Sequence, residues 1–181
     1  MRTVLLMRHG KSAWDEEGIE DHDRSLAKRG KREAAHMGQV LRARNLLPDV
    51  ILSSAAKRAR STARRVVKAS EYSGEVIYDE QLYFQGLEPY LERLSSLPDE
   101  AQSALVIGHN PLLEELVLLL SGEAVRLPTA VVACIDLPIT SWTGLNAGVK
   151  GKLRCLLQLD ETVPKDIPCG PTPPQKQDQE R

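Results

Sequence analysis

Two histidines and two arginines occupy positions from which they could hold a phosphoryl group. Arg8 and His9 directly follow an apolar segment near the start of the chain. Arg58 lies in a Lys-Arg-Ala-Arg string after a second apolar segment, and His109 follows a later one. Guanidinium groups bind phosphate oxygens strongly, and imidazole is a nucleophile that is largely neutral at pH 7, because its ordinary pKa is about 6.5. We therefore expect these side chains to bind a dianionic phosphoryl group if the fold brings them together.

Short apolar segments alternate with helical patterns along the chain. Because each apolar segment is short and rich in Val, Ile or Leu, we expect strands at residues 3–7, 50–52, 75–78, 103–107, 131–137 and 152–159. This alternation predicts an α/β fold, a three-layer α/β/α sandwich with a mostly parallel central sheet. In such folds ligands bind beyond the carboxyl ends of the strands, which is where both histidines and both arginines stand.

Three segments between the strands have the apolar spacing of helices. The first begins near Ala27 and carries the stripe Gly30, Ala34, Met37 and Leu41, and the second carries Leu87, Tyr90, Leu91 and Leu94. Asn110 and Pro111 are typical of a helix cap and a first helical position, and Gly122 is typical of the end of that helix. A helix that starts directly after His109 would direct backbone N–H groups toward the same anion.

Four strings in this order, LLMRHGKSAW, DHDRSLAKRG, SSAAKRARSTA and VIGHNP, resemble the histidine phosphatase superfamily, and specifically its small SixA-type phosphohistidine phosphatase branch. The resemblance covers roughly residues 1–120 and the sheet beyond. It implies that His9 is the nucleophile, which takes the phosphoryl group as a phosphohistidine intermediate. It implies that Arg8 and Arg58 bind phosphate oxygens and that His109 stands on the opposite side of the phosphate. Guanidinium and imidazolium then supply the positive charge, so we expect no metal and no other cofactor.

The position of a leaving-group acid is open in this sequence. Relatives that cleave alcohol phosphate esters generally carry a Glu or Asp that protonates the leaving oxygen, because an alkoxide leaves poorly. The candidates are Glu80, Glu88 and Asp15, and the alternative for each is a solvated surface residue. A protonated imidazole leaves well without such an acid. The short spacer from Ala63 to Ala101 also favours a shallow site.

These features predict a metal-independent phosphatase that hydrolyses phosphohistidine on a partner protein, such as a histidine phosphotransfer domain or a phosphocarrier. Two alternatives remain: a phosphatase of small phosphate esters with the same mechanism, and a non-catalytic module that binds phosphoproteins. Lys and Arg number 24 and Asp and Glu 25, for a formal net charge of −1. That balance argues against a nucleic-acid partner, and no apolar run approaches the roughly 20 residues that span a membrane.

Composition also divides the chain. Residues 163–181 hold five of the 11 prolines and few large apolar residues, so we expect a domain at 1–162 followed by a mobile or loosely attached Pro-rich tail. The cysteines are odd in number, widely spaced and without a metal-ligand pattern: Cys134, Cys155 and Cys169. We therefore expect reduced thiols and a cytoplasmic location.

The remaining polar and aromatic residues have competing interpretations. Lys57, Arg60, Arg64 and Lys68 share one face of a predicted helix, which is either a solvated face or a surface that attracts an acidic partner. His22, between Asp21 and Asp23, belongs to a polar loop or binds a metal, and Arg24 closes the pocket or pairs with a nearby Asp. We expect His36 to be exposed, and Trp14 and Trp142 to pack rather than bind.

Overall fold

The computed structural model describes residues 1–13 and 18–159. In this part of the chain six strands form one sheet: β1 (Arg2–Arg8), β2 (Val50–Ser54), β3 (Glu75–Asp79), β4 (Ser103–Gly108), β5 (Val132–Leu137) and β6 (Lys152–Leu157). Their order across the sheet is β3-β2-β4-β1-β5-β6. The first four strands are parallel, whereas β5 runs antiparallel to β1 and β6 antiparallel to β5. The predicted mostly parallel sheet is confirmed.

Four α-helices cover the two faces of this sheet within the described residues: α1 (Lys28–Ala43), α2 (Lys57–Ser70), α3 (Glu88–Ser95) and α4 (Leu112–Ser121). Side chains of β1 alternate between two cores. Leu5 and Met7 pack in the core that contains α1 and α2, and Val4 and Leu6 pack in the core that contains α3 and α4. A strand buried on both faces needs an unbroken apolar run. The three-layer sandwich predicted from the sequence is therefore confirmed.

The start of α4 differs from the prediction. The helix begins at Leu112, after Pro111, and Asn110 makes no capping hydrogen bond. Its side-chain amide instead donates to the Glu114 carboxylate at 2.8 Å and to the Leu127 carbonyl at 3.0 Å. The predicted cap is wrong because Asn110 ties α4 to the loop that precedes β5.

Other sequence predictions have mixed outcomes in the fold. Trp142 is fully buried, and its indole N–H donates to the Ala101 carbonyl at 2.6 Å, so its predicted packing role is confirmed. Cys134 is a buried free thiol, but Cys155 is disulfide-bonded, so the prediction of reduced thiols is wrong there. Cys155 lies only partly buried on the edge strand β6. Sequence spacing carries no sign of this exposure.

Trp14, Asp15 and the predicted tail at 163–181 lie outside the described residues, so the predictions made for them, including the domain boundary at 162, remain predictions. No helix within the described residues is both long enough and apolar enough to cross a membrane.

Helices α1 and α2 pack closely where α1 carries Gly38. A Cβ atom built on Gly38 would lie 2.7 Å from the Val66 carbonyl oxygen and 3.0 Å from the Val66 Cα. Both atoms belong to the backbone of α2, so a side chain at this position would push the helices apart.

We expect Gly38→Ala to lower the free energy of unfolding by about 1–3 kcal/mol, as overpacking does. Helix propensity alone would make the alanine variant more stable by about 1 kcal/mol. A loss of stability therefore indicates overpacking, and a gain indicates that the helices do not meet closely at Gly38. Urea denaturation measures the change, and Gln39→Ala, at the exposed neighbouring position, is the matched control. A Gly38→Ala variant at least as stable as the native chain would contradict the close approach of the two helices.

Candidate active site

The two histidines meet because their strands are neighbours in the sheet. Strands β1 and β4 pair in parallel, and the backbone N–H of His9 donates to the Gly108 carbonyl at 3.1 Å. The rings of His9 and His109 lie with their centroids 5.0 Å apart and their planes inclined by 55°. They are 8% and 1% exposed. The convergence that the strand ends suggested is present in the structure.

The ring of His9 is held in one tautomer. Its Nδ1 lies 2.7 Å from the Gly10 carbonyl oxygen, and because a carbonyl only accepts hydrogen bonds, Nδ1 carries the proton. Nε2 therefore presents a lone pair, and the Arg58 Nε–H donates to it at 3.2 Å. Burial, followed by the charges of Arg58 and Arg8, lowers the pKa of His9 to about 4, against the opposing Gly10 hydrogen bond. His9 is thus a neutral base near pH 7.

His109 is more deeply buried and is fixed by a serine. Its Nε2 lies 2.8 Å from the hydroxyl oxygen of Ser54, at the carboxyl end of β2. Burial, and then the charges of His9 and Arg58, lower the pKa of His109 to about 2. Its Nδ1 is buried without a hydrogen-bond partner among the described residues. A buried nitrogen in this state is a group that a ligand can satisfy.

Asp21 holds two arginines and a tyrosine, a role that the sequence did not indicate. Its carboxylate accepts hydrogen bonds from Arg58 at 2.9 Å, from Arg24 at 2.9 Å and from the Tyr83 hydroxyl at 2.5 Å. Its backbone carbonyl also accepts from Arg58. The Tyr83 hydroxyl, together with Arg58 and Arg24, holds the pKa of Asp21 well below its usual range. Asp21 is therefore an ionised clamp and not a proton donor.

Arg8, directly before His9 in the chain, is held by the loop that precedes β5. One of its terminal N–H groups donates to the Leu127 carbonyl at 3.1 Å, and its Nε is buried without a partner among the described residues. The same carbonyl accepts from the Asn110 side chain. The loop before β5 therefore positions both Arg8 and the residue that follows His109.

The two backbone N–H groups that follow His9 are already hydrogen-bonded to side chains. The Gly10 N–H donates to the Thr62 hydroxyl at 3.0 Å, and that hydroxyl donates to the Arg58 carbonyl at 2.7 Å. The Lys11 N–H points to the buried Glu33 carboxylate at 3.3 Å. Because these amides are already engaged, an anion in this cleft must be held mainly by side chains.

All four residues singled out in the sequence line one cleft of about 210 Å³. The described lining also contains Lys11 and Arg24, and Asp21 is its only carboxylate. Four cationic side chains facing one carboxylate favour an anionic ligand. Arg24 both lines this cleft and pairs with Asp21, so both interpretations of Arg24 describe part of its role.

Among the described residues, the candidate leaving-group acids Glu80 and Glu88 do not line the cleft. Glu80 lies 2.9 Å from the His22 ring nitrogen and is 70% exposed, and Glu88 is exposed. Burial lowers the pKa of His22, but its hydrogen bonds to Asp23 and Glu80 raise it above the ordinary value. These contacts fit the polar-loop interpretation of His22.

The outer face of α2 is basic, as the spacing predicted. Lys57, Arg60, Arg64 and Lys68 are exposed, while Ala59 and Ala63 are buried against the sheet. Arg60 lies over the ring of Tyr78 at 5.3 Å. His36 is exposed on α1, as expected. Whether the basic face binds a partner stays a hypothesis.

Comparison with known proteins places the chain in a family. The model of the histidine phosphatase superfamily (branch 1) matches residues 4–83. An uncharacterized chloroplastic protein of Arabidopsis thaliana is 30% identical over 180 residues, which cover 90% of this chain and 80% of that protein. The structure of SixA from Agrobacterium tumefaciens is 29% identical, with a TM-score of 0.74 over 87% of this chain and 97% of that chain. The chain belongs to the histidine phosphatase superfamily.

Within this superfamily the chain belongs to the SixA-type branch. A protein histidine phosphatase SixA complexed with tungstate is 26% identical, with a TM-score of 0.73 over 86% of this chain and 96% of that chain. The sequence-based assignment to the superfamily and branch is confirmed. This histidine phosphatase is accordingly a hydrolase that acts on a phosphoryl group.

The lowered pKa of His9 predicts an acid-sensitive contribution to stability. Between its ordinary value of 6.5 and about 4, the unfolded chain binds a proton at His9 that the folded chain does not. The contribution is complete above pH 6.5 and is lost as the pH falls toward 4, by on the order of 3 kcal/mol. Urea denaturation at several pH values measures the free energy of unfolding. As the pH falls from 6.5 toward 4, this free energy should fall more in the native chain than in His9→Gln, by the amount given above. His36→Gln controls for the loss of one imidazole. A difference between native and His9→Gln that stays constant from pH 7 to pH 4 would contradict the lowered pKa.

Proposed function

We propose that this histidine phosphatase is metal-independent and hydrolyses phosphohistidine on a partner protein through a covalent phosphohistidine at His9. The observation that carries the proposal is the orientation of His9. Its Nδ1 is hydrogen-bonded to the Gly10 carbonyl oxygen. Its Nε2 lone pair lies inside a cationic cleft, 3.2 Å from the Arg58 Nε. A neutral imidazole with a fixed lone pair is prepared for in-line attack on phosphorus.

The first half-reaction transfers the phosphoryl group to His9. The Nε2 lone pair forms a bond to phosphorus while the bond from phosphorus to the substrate imidazole breaks. The bonding pair leaves with that imidazole, which departs neutral when its other nitrogen carries a proton. In the second half-reaction water attacks phosphorus, the electron pair of the P–N bond returns to His9 Nε2, and dihydrogen phosphate leaves with both protons of the water.

Arg8 and Arg58 neutralise the phosphoryl oxygens in this mechanism, and His109 completes the pocket on the far side. Arg58 is already fixed by Asp21, so binding requires little reordering of its side chain. In a loose transition state the charge is spread over the equatorial oxygens. Fixed guanidinium groups therefore stabilise that state without having to reorganise.

The absence of a suitable acid among the described cleft residues supports phosphohistidine as the substrate. Asp21, the one carboxylate there, is ionised and already accepts three side-chain donors. An alkoxide leaving group would need an acid, whereas a protonated imidazole does not. We infer a phosphotransfer domain or phosphocarrier as the partner, and small phosphate esters as the alternative substrate. The cytoplasmic location rests on the sequence alone.

His9→Ala should abolish formation of a phosphoenzyme, because it removes the imidazole whose Nε2 lone pair attacks phosphorus in this mechanism. Rapid quenching with ³²P-labelled phosphohistidine peptide should trap an acid-labile, base-stable label on the native chain only. Circular dichroism should show an unchanged fold, and His36→Ala should label normally. A label that persists in His9→Ala, or that is acid-stable in the native chain, would contradict attack by this imidazole. A native chain that binds phosphate but never becomes labelled would favour a binding module.

The basic face of α2 should act only on protein substrates. We expect Arg60→Glu with Arg64→Glu to lower kcat/KM at low salt about tenfold for a phosphorylated histidine phosphotransfer domain, because attraction of an acidic partner is lost. Turnover of phosphoramidate, which is too small to touch this face, should not change. The control Lys150→Glu with Lys152→Glu changes the net charge by the same amount but lies at β6, the opposite edge of the sheet. It should leave kcat/KM for both substrates unchanged. An equal loss on both substrates, or no loss on either, would refute the role of this face.

A further inference from the structure

Phe84 is the only phenylalanine in the chain, and it is exposed at the mouth of the cleft. Its side chain is 47% exposed and lines the same cavity as His9 and His109. Its backbone adopts φ = 54°, the left-handed region that bulky residues rarely occupy. Backbone strain of this kind and an exposed aromatic ring both cost free energy.

The segment that carries Phe84 is anchored by the two residues that precede it. Leu82 is fully buried, and its carbonyl accepts the Tyr90 hydroxyl at 2.8 Å. The Tyr83 hydroxyl donates to the Asp21 carboxylate at 2.5 Å. Phe84 is therefore held over the cleft by its neighbours and does not merely extend from a loose loop.

The rings at this point form a continuous aromatic wall. Phe84 lies 5.1 Å from His109 with its plane inclined by 37°, and Tyr83 lies 5.3 Å from His109 edge-on. Tyr83 and Phe84 are 4.9 Å apart. These separations are those of interacting aromatic rings. His9 lies at a similar distance from His109, 5.0 Å, so Phe84 and the nucleophile border the same histidine within one cleft.

We propose that Phe84 stacks against the leaving group and gives this phosphatase its preference for a planar imidazole over a hydroxyl-bearing alkyl group. The proposal rests on the proposed function, because the leaving group must stand on the side of phosphorus opposite His9. An imidazole ring can lie against the Phe84 face at the separations above. A sugar there would press its hydroxyls against an apolar ring and lose their hydrogen bonds to water.

The test compares two substrates that share a P–N bond and differ in the ring. Phosphohistidine peptide carries an imidazole, whereas phosphoramidate releases ammonia. Phe84→Leu keeps an apolar side chain but removes the aromatic face, and should lower kcat/KM for the peptide about threefold to tenfold. Phosphoramidate turnover should change less than twofold. Phe84→Trp should restore most of the preference for the peptide.

Leu118→Ala, at an equally exposed apolar position on α4, is the control and should change neither rate. Equal losses on both substrates in Phe84→Leu, or no loss on either, would overturn the role of Phe84. Failure of the proposed function has a different signature, because the native chain would then form no phosphoenzyme from either P–N substrate. A native chain that hydrolyses sugar phosphates faster than phosphohistidine peptide would overturn the stated preference directly.

Discussion

The hydrogen bond between the His9 ring and the Gly10 carbonyl decides which nitrogen of the imidazole faces the cleft. With Nδ1 committed to the backbone, only Nε2 is left to act, and Arg58 marks the direction in which its lone pair points. The surrounding structure preserves this orientation. Thr62 joins the Gly10 amide to the first turn of α2, and the parallel pairing of β1 and β4 fixes the backbone of His9. Rigid positioning of this kind supplies a large part of the catalytic effect in phosphoryl transfer.

Charge in the cleft is balanced by two different means. Asp21 offsets part of the charge of Arg58 and Arg24 and also fixes their geometry. The histidines avoid repulsion by remaining neutral, since burial lowers the pKa of both. A dianion entering the cleft meets oriented cations beside an uncharged nucleophile. That combination suits a substrate whose leaving group needs no strong acid, and the aromatic wall at Phe84 suits a leaving group that is a ring.

The elements and the four principal residues could be predicted because they follow local rules. Buried parallel strands are unbroken apolar runs, and ligands in such sheets bind at the carboxyl ends of strands. Asp21 and Tyr83 could not be paired in advance, because they are 62 positions apart and meet only through tertiary packing. The cap predicted at Asn110 failed for a similar reason, since the hydrogen bond from its amide N–H to the distant Leu127 carbonyl fixes the side chain with its Oδ1 away from the N–H groups of α4. The positive φ of Phe84 breaks a local preference, and such departures are expected at functional sites.

The central claim is that one tetrahedral anion binds between the two histidines and the two arginines. A crystal structure of this chain soaked with tungstate tests it most directly. We predict an anion with oxygens within hydrogen-bonding distance of Arg8 and Arg58, and with its central atom facing His9 Nε2 while the ring keeps its hydrogen bond to Gly10. Tungstate bound elsewhere, with the His9–Arg58 hydrogen bond intact and the cleft without an anion, would contradict the account.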